Sequence, residues 1–137
     1  MATTKKSTTP IKKVAPAIVA PTFMESVYSD KNIQISPRKL RLLVETIKKY
    51  TVVSALSKLK FTNTKSARVL TKALETAIAT AKNNYNLIPE TLTFGSFTVD
   101  EGPKIKRTDK SHGSRFARGI IIRRHSRLNL VVKGQVK

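Results

Sequence analysis

Apolar and polar residues alternate from Asn32 to Ile35, the period of a short strand with one buried face. Ser36-Pro37 then reads as a helix start, because Ser favours the N-cap and Pro the first helical position. Leu40, Leu43, Val44 and Ile47 follow at helical spacing, with Arg38, Lys39, Arg41 and Lys48 mostly off that stripe. Thr51 is placed to cap a second, shorter helix whose apolar face is Val52, Ala55, Leu56 and Leu59. Thr62 or Thr64 is placed to cap a third, with the stripe Ala67, Leu70, Leu74, Ala77, Ile78, Ala81 and Tyr85. Its many alanines predict close helix packing. Asn83, Asn84 and Asn86 mark its end, and Pro89 prevents continuation.

The pattern then returns to period two. Leu92 and Phe94 alternate, and Phe97 and Val99 alternate on the opposite parity. The shift at Gly95-Ser96 predicts a bulge within one strand. Asp100-Glu101-Gly102-Pro103 reads as punctuation after it. Leu128, Leu130 and Val132 predict a last strand ending near Gly134. The pattern predicts an α+β domain: three helices packed on a small antiparallel sheet, with a long β-hairpin projecting beyond the core.

Charge changes this picture most. The 137 residues hold 27 Lys and Arg against 8 Asp and Glu, a net charge of +19. Residues 104–127 read KIKRTDKSHGSRFARGIIIRRHSR, and their one carboxylate is Asp109. The cations there are Lys104, Lys106, Arg107, Lys110, Arg115, Arg118, Arg123, Arg124 and Arg127. Side chains so crowded repel one another unless a polyanion neutralises them, and nucleic acid is the simplest such partner. Arg forks onto phosphate and stacks on bases, Gly113 and Gly119 permit close backbone approach, and Phe116 is an aromatic available for stacking. The run Ile120-Ile121-Ile122 favours ordered β structure over a solvated loop. Arg38, Lys39 and Arg41 form a second basic group at a helix start, where cations oppose the helix dipole. That placement suits phosphate as well as it suits solvent. His112 and His125 are read as contacts to phosphate or a stacked base, or as solvated rings.

Other chemistry is poorly supported. There is no cysteine, so neither a disulfide nor a Cys-based zinc site is available. No cofactor motif of the GxxxxGK[ST] or GxGxxG type occurs. A metal site at the two histidines would have only Asp109 nearby, in a strongly positive setting. Asp100 and Glu101 are adjacent carboxylates, but neighbours on a strand point to opposite faces and do not share one site. No catalytic residues, metal or cofactor are assigned. The rival classes are a DNA-compacting protein and a metal-dependent nuclease acting through Asp100 or Glu101.

Residues 1–26 are rich in Lys, Thr and Pro and read as a flexible basic extension, with residues 27–137 as a single domain. No run of about 18 apolar residues exists to form a membrane helix.

Three blocks carry a resemblance: ISPRKLRLLVETI (35–47), ARVLTKALETAIATAKNN (67–84) and VDEGPKIKR (99–107). In order and spacing they resemble the large-ribosomal-subunit protein L-twenty-two family, of bacterial or organellar type. The resemblance implies a non-enzymatic constituent of the large subunit, cytoplasmic or organellar, that binds several domains of large-subunit rRNA and supports assembly. It implies neighbouring large-subunit proteins and the nascent polypeptide as partners, and no homo-oligomer. Carried across, residues 104–127 are the hairpin that lines the peptide exit tunnel. The rRNA-binding set becomes Arg38, Lys39, Arg41, Lys104, Lys106, Arg107, Lys110, Arg115, Arg118, Arg123, Arg124, His125 and Arg127. The hairpin tip becomes Asp109, Lys110, Ser111, His112, Gly113, Ser114, Arg115 and Phe116. The tip departs from the Arg/Pro/Gly-rich stretch common in the family, carrying an acid and no proline.

Overall fold

The structure is a computed structural model and describes residues 23–109 and 119–137. In chain order it contains β1 (Phe23–Ile33), α1 (Pro37–Ile47), α2 (Val52–Phe61), α3 (Lys65–Tyr85), a short 3-10 turn (Pro89–Thr91), β2 (Thr93–Asp109) and β3 (Gly119–Gln135). The three strands form one antiparallel sheet in the order β1-β3-β2. This is the α+β arrangement that the hydrophobic pattern predicts.

The apolar periodicities account for the core. Leu40, Val44 and Ile47 of α1 are buried, as are Val52, Ala55 and Leu59 of α2. α3 buries Ala67, Leu70, Ala73, Leu74, Ala77 and Ala81. Phe97 and Val99 of β2 and Leu128, Leu130 and Val132 of β3 meet these helices from the sheet. Burying a side chain the size of Leu or Phe contributes about 1.5–3 kcal/mol, so these few positions outweigh every cap and surface pair in the molecule.

Local signals set the helix ends. Thr64 Oγ1 accepts from the Ala67 amide at 3.1 Å, a true N-cap. Asn86 ends α3 in the left-handed region (φ 52°), with its amide on the Ala81 carbonyl. Ser36 stands at the N-cap of α1 but makes no side-chain cap hydrogen bond. Thr51 at the start of α2 donates instead to Ser54 Oγ at 2.9 Å.

Two strand expectations need correction, and a third is met. The first strand is not a short one around Ile33 and Ile35; it begins at Phe23 and ends at Ile33. Residues 23–26, expected in the extension, therefore pair with residues 132–135. The polar sequence hides this, because only Ser26 and Ile33 of β1 are buried and its outer face is open. Second, Asp100-Glu101-Gly102-Pro103 does not close β2. The strand passes through it with a register shift between Glu101 and Lys104 and continues to Asp109. Third, the expected bulge at Gly95-Ser96 is present as the register shift between Phe94 and Ser96.

Beyond the second bulge the β2–β3 ladder leaves the core. Pairs run from Lys104↔Arg124 to Asp109↔Gly119, and every residue from Lys104 to Thr108 and from Ile120 to Arg124 is exposed. This is the projecting arm. Gly102 sits where it departs. A Cβ on Gly102 would lie 2.8 Å from the His125 carbonyl carbon and 3.0 Å from the Ser126 amide nitrogen, so the strands approach too closely there for any side chain.

Gly102→Ala is therefore expected to destabilise the fold by about 1–3 kcal/mol, as overpacking against backbone does. Urea unfolding followed by circular dichroism measures it; an unchanged midpoint would mean that the bulge relaxes freely.

Candidate nucleic-acid interface

The arm has no core of its own, and its register decides what each face presents. Opposed residues of an antiparallel pair share a face. One face carries Ile105, Arg107, Ile121 and Arg123; the other carries Lys104, Lys106, Thr108, Ile120, Ile122 and Arg124. Three of the cross-strand pairs set an isoleucine against a long cation: Ile105 and Arg123, Lys106 and Ile122, Arg107 and Ile121. The methylene stems of Lys and Arg cover apolar neighbours while their heads reach solvent. That pairing gives the ribbon cohesion where a core is lacking. The pair Lys104 and Arg124 places two cations directly opposite and works against it.

A carboxylate sits at that unfavourable point. Glu101 Oε2 lies 2.7 Å from Lys104 Nζ. The Lys104 hydrogen bond, then its charge, then the charges of Arg41 and Arg124, hold the Glu101 carboxyl below its usual range. Four groups from three elements thus converge at the base of the arm: Arg41 of α1, Glu101 and Lys104 of β2, and Arg124 of β3. Sequence reading treats Glu101 as turn punctuation and misses this role. The signal was its place three residues before the first arm cation.

Arg41 is also built into the fold. Its Nε donates to the Val99 carbonyl at 3.0 Å and ties α1 to β2. Arg38 and Lys39 are exposed in the first turn of α1, with no acid there to complement the dipole. Lys104, Lys106, Arg107, Arg123, Arg124 and Arg127 are all exposed. By parity along β3, Arg123 and Arg127 lie on the side away from Leu128 and the helices, and Arg124 lies on the helix side. Arg127 stands opposite Asp100, whose Oδ2 accepts from Asn129 Nδ2 at 2.9 Å. Asp100 and Glu101 therefore serve separate partners.

His125 is placed differently from the arginines around it. It is only 8% exposed, and its Nδ1 lies 2.6 Å from Asn32 Oδ1, so the ring joins β3 to the end of β1. Expected among the RNA contacts, it has a partner inside the fold at Nδ1. Asn32, a polar position beside Ile33 with no feature in the pattern to single it out, is that partner. Asp109 pairs with Gly119 at the last described rung of the arm. Lys110, Ser111, His112, Gly113, Ser114, Arg115, Phe116 and Arg118 lie outside the described residues. Among the described residues no cluster of three His, Asp or Glu side chains could hold a metal ion, and no helix is long and apolar enough to cross a membrane.

Comparison with known proteins bears on this geometry. Residues 28–133 match the family described as Ribosomal protein L22p/L17e. A large ribosomal subunit protein uL22 of Petrotoga mobilis is 44% identical over 84 residues, which cover 61% of this chain and 56% of that protein. The protein of the same name from Rubrobacter xylanophilus is 46% identical over 77 residues, covering 56% of this chain and 61% of the relative. That from Fusobacterium nucleatum is 38% identical over 84 residues, covering 61% of this chain and 76% of the relative. The chain thus spans little more than half the length of the first two. The family match covers all of α1, α2, α3 and β2, nearly all of β3 and about half of β1, arm included, and on that ground the chain belongs to the ribosomal protein L22p/L17e family.

Proposed function

We propose that this chain is a non-enzymatic constituent of the large ribosomal subunit, held there by large-subunit rRNA. The observation that carries the reading is the arm: a two-stranded ribbon, exposed on both faces, within a stretch of nine cations and one carboxylate. Such a ribbon is under steady self-repulsion, and phosphates on several sides relieve it by releasing their counterions. The names of the curated relatives support the large subunit as its setting. Neighbouring subunit proteins are then partners, and the ribosome, cytoplasmic or organellar, is the location.

The base of the arm is where recognition is organised. α1 brings Arg41 to the Glu101 carboxylate that Lys104 and Arg124 also face, with Arg38 and Lys39 in the first turn of the same helix, so RNA here meets cations from a rigid helix and from the ribbon together. Contacts of this kind read RNA shape and phosphate placement more than base sequence. The arm reaches into the subunit and lines the nascent-peptide exit tunnel. The rRNA-binding set is then Arg38, Lys39, Arg41, Lys104, Lys106, Arg107, Arg123, Arg124 and Arg127, with Lys110, Arg115 and Arg118 continuing it.

Affinity for large-subunit rRNA is expected to fall by roughly three orders of magnitude or more between 50 and 200 mM salt, the behaviour of about six or more phosphate contacts. Filter binding across a salt series measures this, and a flat response would sink the reading. Arg123→Ala/Arg124→Ala/Arg127→Ala should weaken binding and co-sedimentation with large subunits while the helical circular dichroism stays intact. Equal competition by duplex DNA would favour the DNA-compacting class instead.

Arg41 and its neighbours should separate fold from binding. Arg41→Ala is expected to cost about 1 kcal/mol of stability, the worth of its hydrogen bond to the Val99 carbonyl. Arg38→Ala/Lys39→Ala should leave stability within about 0.5 kcal/mol, as exposed substitutions do, and lower RNA affinity. Urea titration beside filter binding distinguishes the two; equal stability losses would place all three in the fold.

A further inference from the structure

The arm does not exhaust the positive charge. Residues 48–88 contain eight Lys and Arg and a single carboxylate, Glu75. This stretch is the α2–α3 pair and its loops. An open groove of about 520 Å³ runs between the end of α2 and the first turns of α3, lined among others by Lys60, Asn63, Arg68, Thr71, Lys72 and Glu75. Lys60 Nζ is 3.4 Å from Glu75 Oε1, and Arg68 Nη2 donates to Asn63 Oδ1 at 3.0 Å. Lys65, Arg68 and Lys72 follow one another at i,i+3 and i,i+4 on α3, where like charges are mutually unfavourable. The first turn of α3 holds no acid.

This groove is electrically separate from the arm. α2 is fastened to the far end of β2, its Val52 amide donating to the Leu92 carbonyl at 3.3 Å. From Leu92 to Lys104 the chain advances about 40 Å at the rise of a strand. From Val52 to Lys60 it advances only about 12 Å at the rise of a helix. The backbones of Lys60 and Lys104 are therefore at least ~20 Å apart, about two Debye lengths at physiological salt. The arm's phosphates do not neutralise this second patch.

Phe61 adds a different kind of observation. It closes α2 between Lys60 and Thr62, both lining the groove, and is 90% exposed, the most exposed large apolar side chain of the described residues. Scattered apolar residues on a surface are ordinary. A fully presented ring bordering a cation-lined groove is the pairing that holds unstacked bases, with the ring beneath the base and cations on the flanking phosphates. We propose that the α2–α3 corner is a second RNA site, which takes an unpaired nucleotide. Phe61 stacks on its base, and Arg68 and Lys72 hold the phosphates on either side. The inference rests on the RNA-binding reading of the chain but uses none of the arm's residues.

The chain has no tryptophan, so Phe61→Trp places one fluorophore in the site and keeps an aromatic face there. The full-length variant is titrated, at low salt, with a dye-labelled RNA duplex carrying one bulged nucleotide and with the fully paired duplex. Dye anisotropy reports binding anywhere on the protein; indole fluorescence reports this corner. The expected result is binding of both duplexes, with indole quenching by the bulged one alone. Adding Arg68→Gln/Lys72→Gln should abolish the quenching and lower the salt slope for the bulged RNA by about two, the value of two phosphate contacts. Binding without quenching, or quenching that survives the double substitution, overturns the site and leaves the arm reading intact. No anisotropy change with either RNA overturns both. Phe61→Ala, measured by anisotropy, should bind the bulged duplex about tenfold more weakly, the lower range for one stacked base; unchanged affinity also overturns the site.

Discussion

One strand pair serves as core and as arm, and the rest of the structure depends on keeping its two halves in register. Side chains alternate along a strand, so a slip of one residue would turn Phe97, Val99, Leu128, Leu130 and Val132 out of the core and expose them. Burial of these five side chains fixes β2 against β3 far more strongly than anything in the arm. The arm inherits that register. Its assignment of Arg107 and Arg123 to one face, and of Lys104, Lys106 and Arg124 to the other, is made in the core and transmitted along the ladder.

Transmission passes through a bulge, which explains the crowding at the arm's base. At Glu101–Lys104 the two strands fall out of step, and Gly102 lies against the backbone of His125 and Ser126. Bulges increase local twist and bend the bulged strand. Two side-chain ties hold the place where that bend occurs. On one side Arg41 fastens α1 to the Val99 carbonyl; on the other His125 and Asn32 join β3 to β1. The direction in which the arm leaves the domain is thus set by polar contacts around a glycine rather than by apolar burial. Glu101 lowers the repulsion among Arg41, Lys104 and Arg124 at that point, and because it is exposed it remains open to exchange for a phosphate.

The sequence showed most where burial has a clear period. The three helices, their stripes, the bulge at Gly95-Ser96 and the last strand were legible because each buries a repeating set of apolar residues. β1 was not, because an edge strand covered on one face only, by Ser26, Tyr28 and Asp30, has no such set. Pro103 misled for a related reason. Proline reads as a strand stop, yet it is tolerated at a bulge where no ladder bond is asked of it. In the candidate site the charge density and the arm were legible, whereas the parity of the β2 cations Lys104, Lys106 and Arg107 was not, because the Glu101–Lys104 shift changes it without any trace in the charge pattern. His125 illustrates the same limit. A histidine in a basic run looks like a contact to phosphate, and only the fold brings Asn32, 93 residues away, to its ring.

The isoleucines of the arm bear on how such a charged ribbon is shaped. An arm that only needed charge would be served by Lys, Arg and Gly, and would be a flexible polycation. Ile105, Ile120, Ile121 and Ile122 are instead held in the ladder at 41–67% exposure. β-branched side chains favour the extended backbone, and set against Lys and Arg stems they gain contact that a solvated loop does not offer. A two-stranded ribbon is at best marginally stable alone, so these small gains decide between a formed ribbon and a coil. A formed ribbon has lost most of its backbone entropy before it meets a partner, and ordering a backbone costs about 1–2 kcal/mol per residue. The exposed isoleucines therefore act on affinity without touching a phosphate: they move that cost from the binding step to the folding step, where the core beneath the arm offsets it.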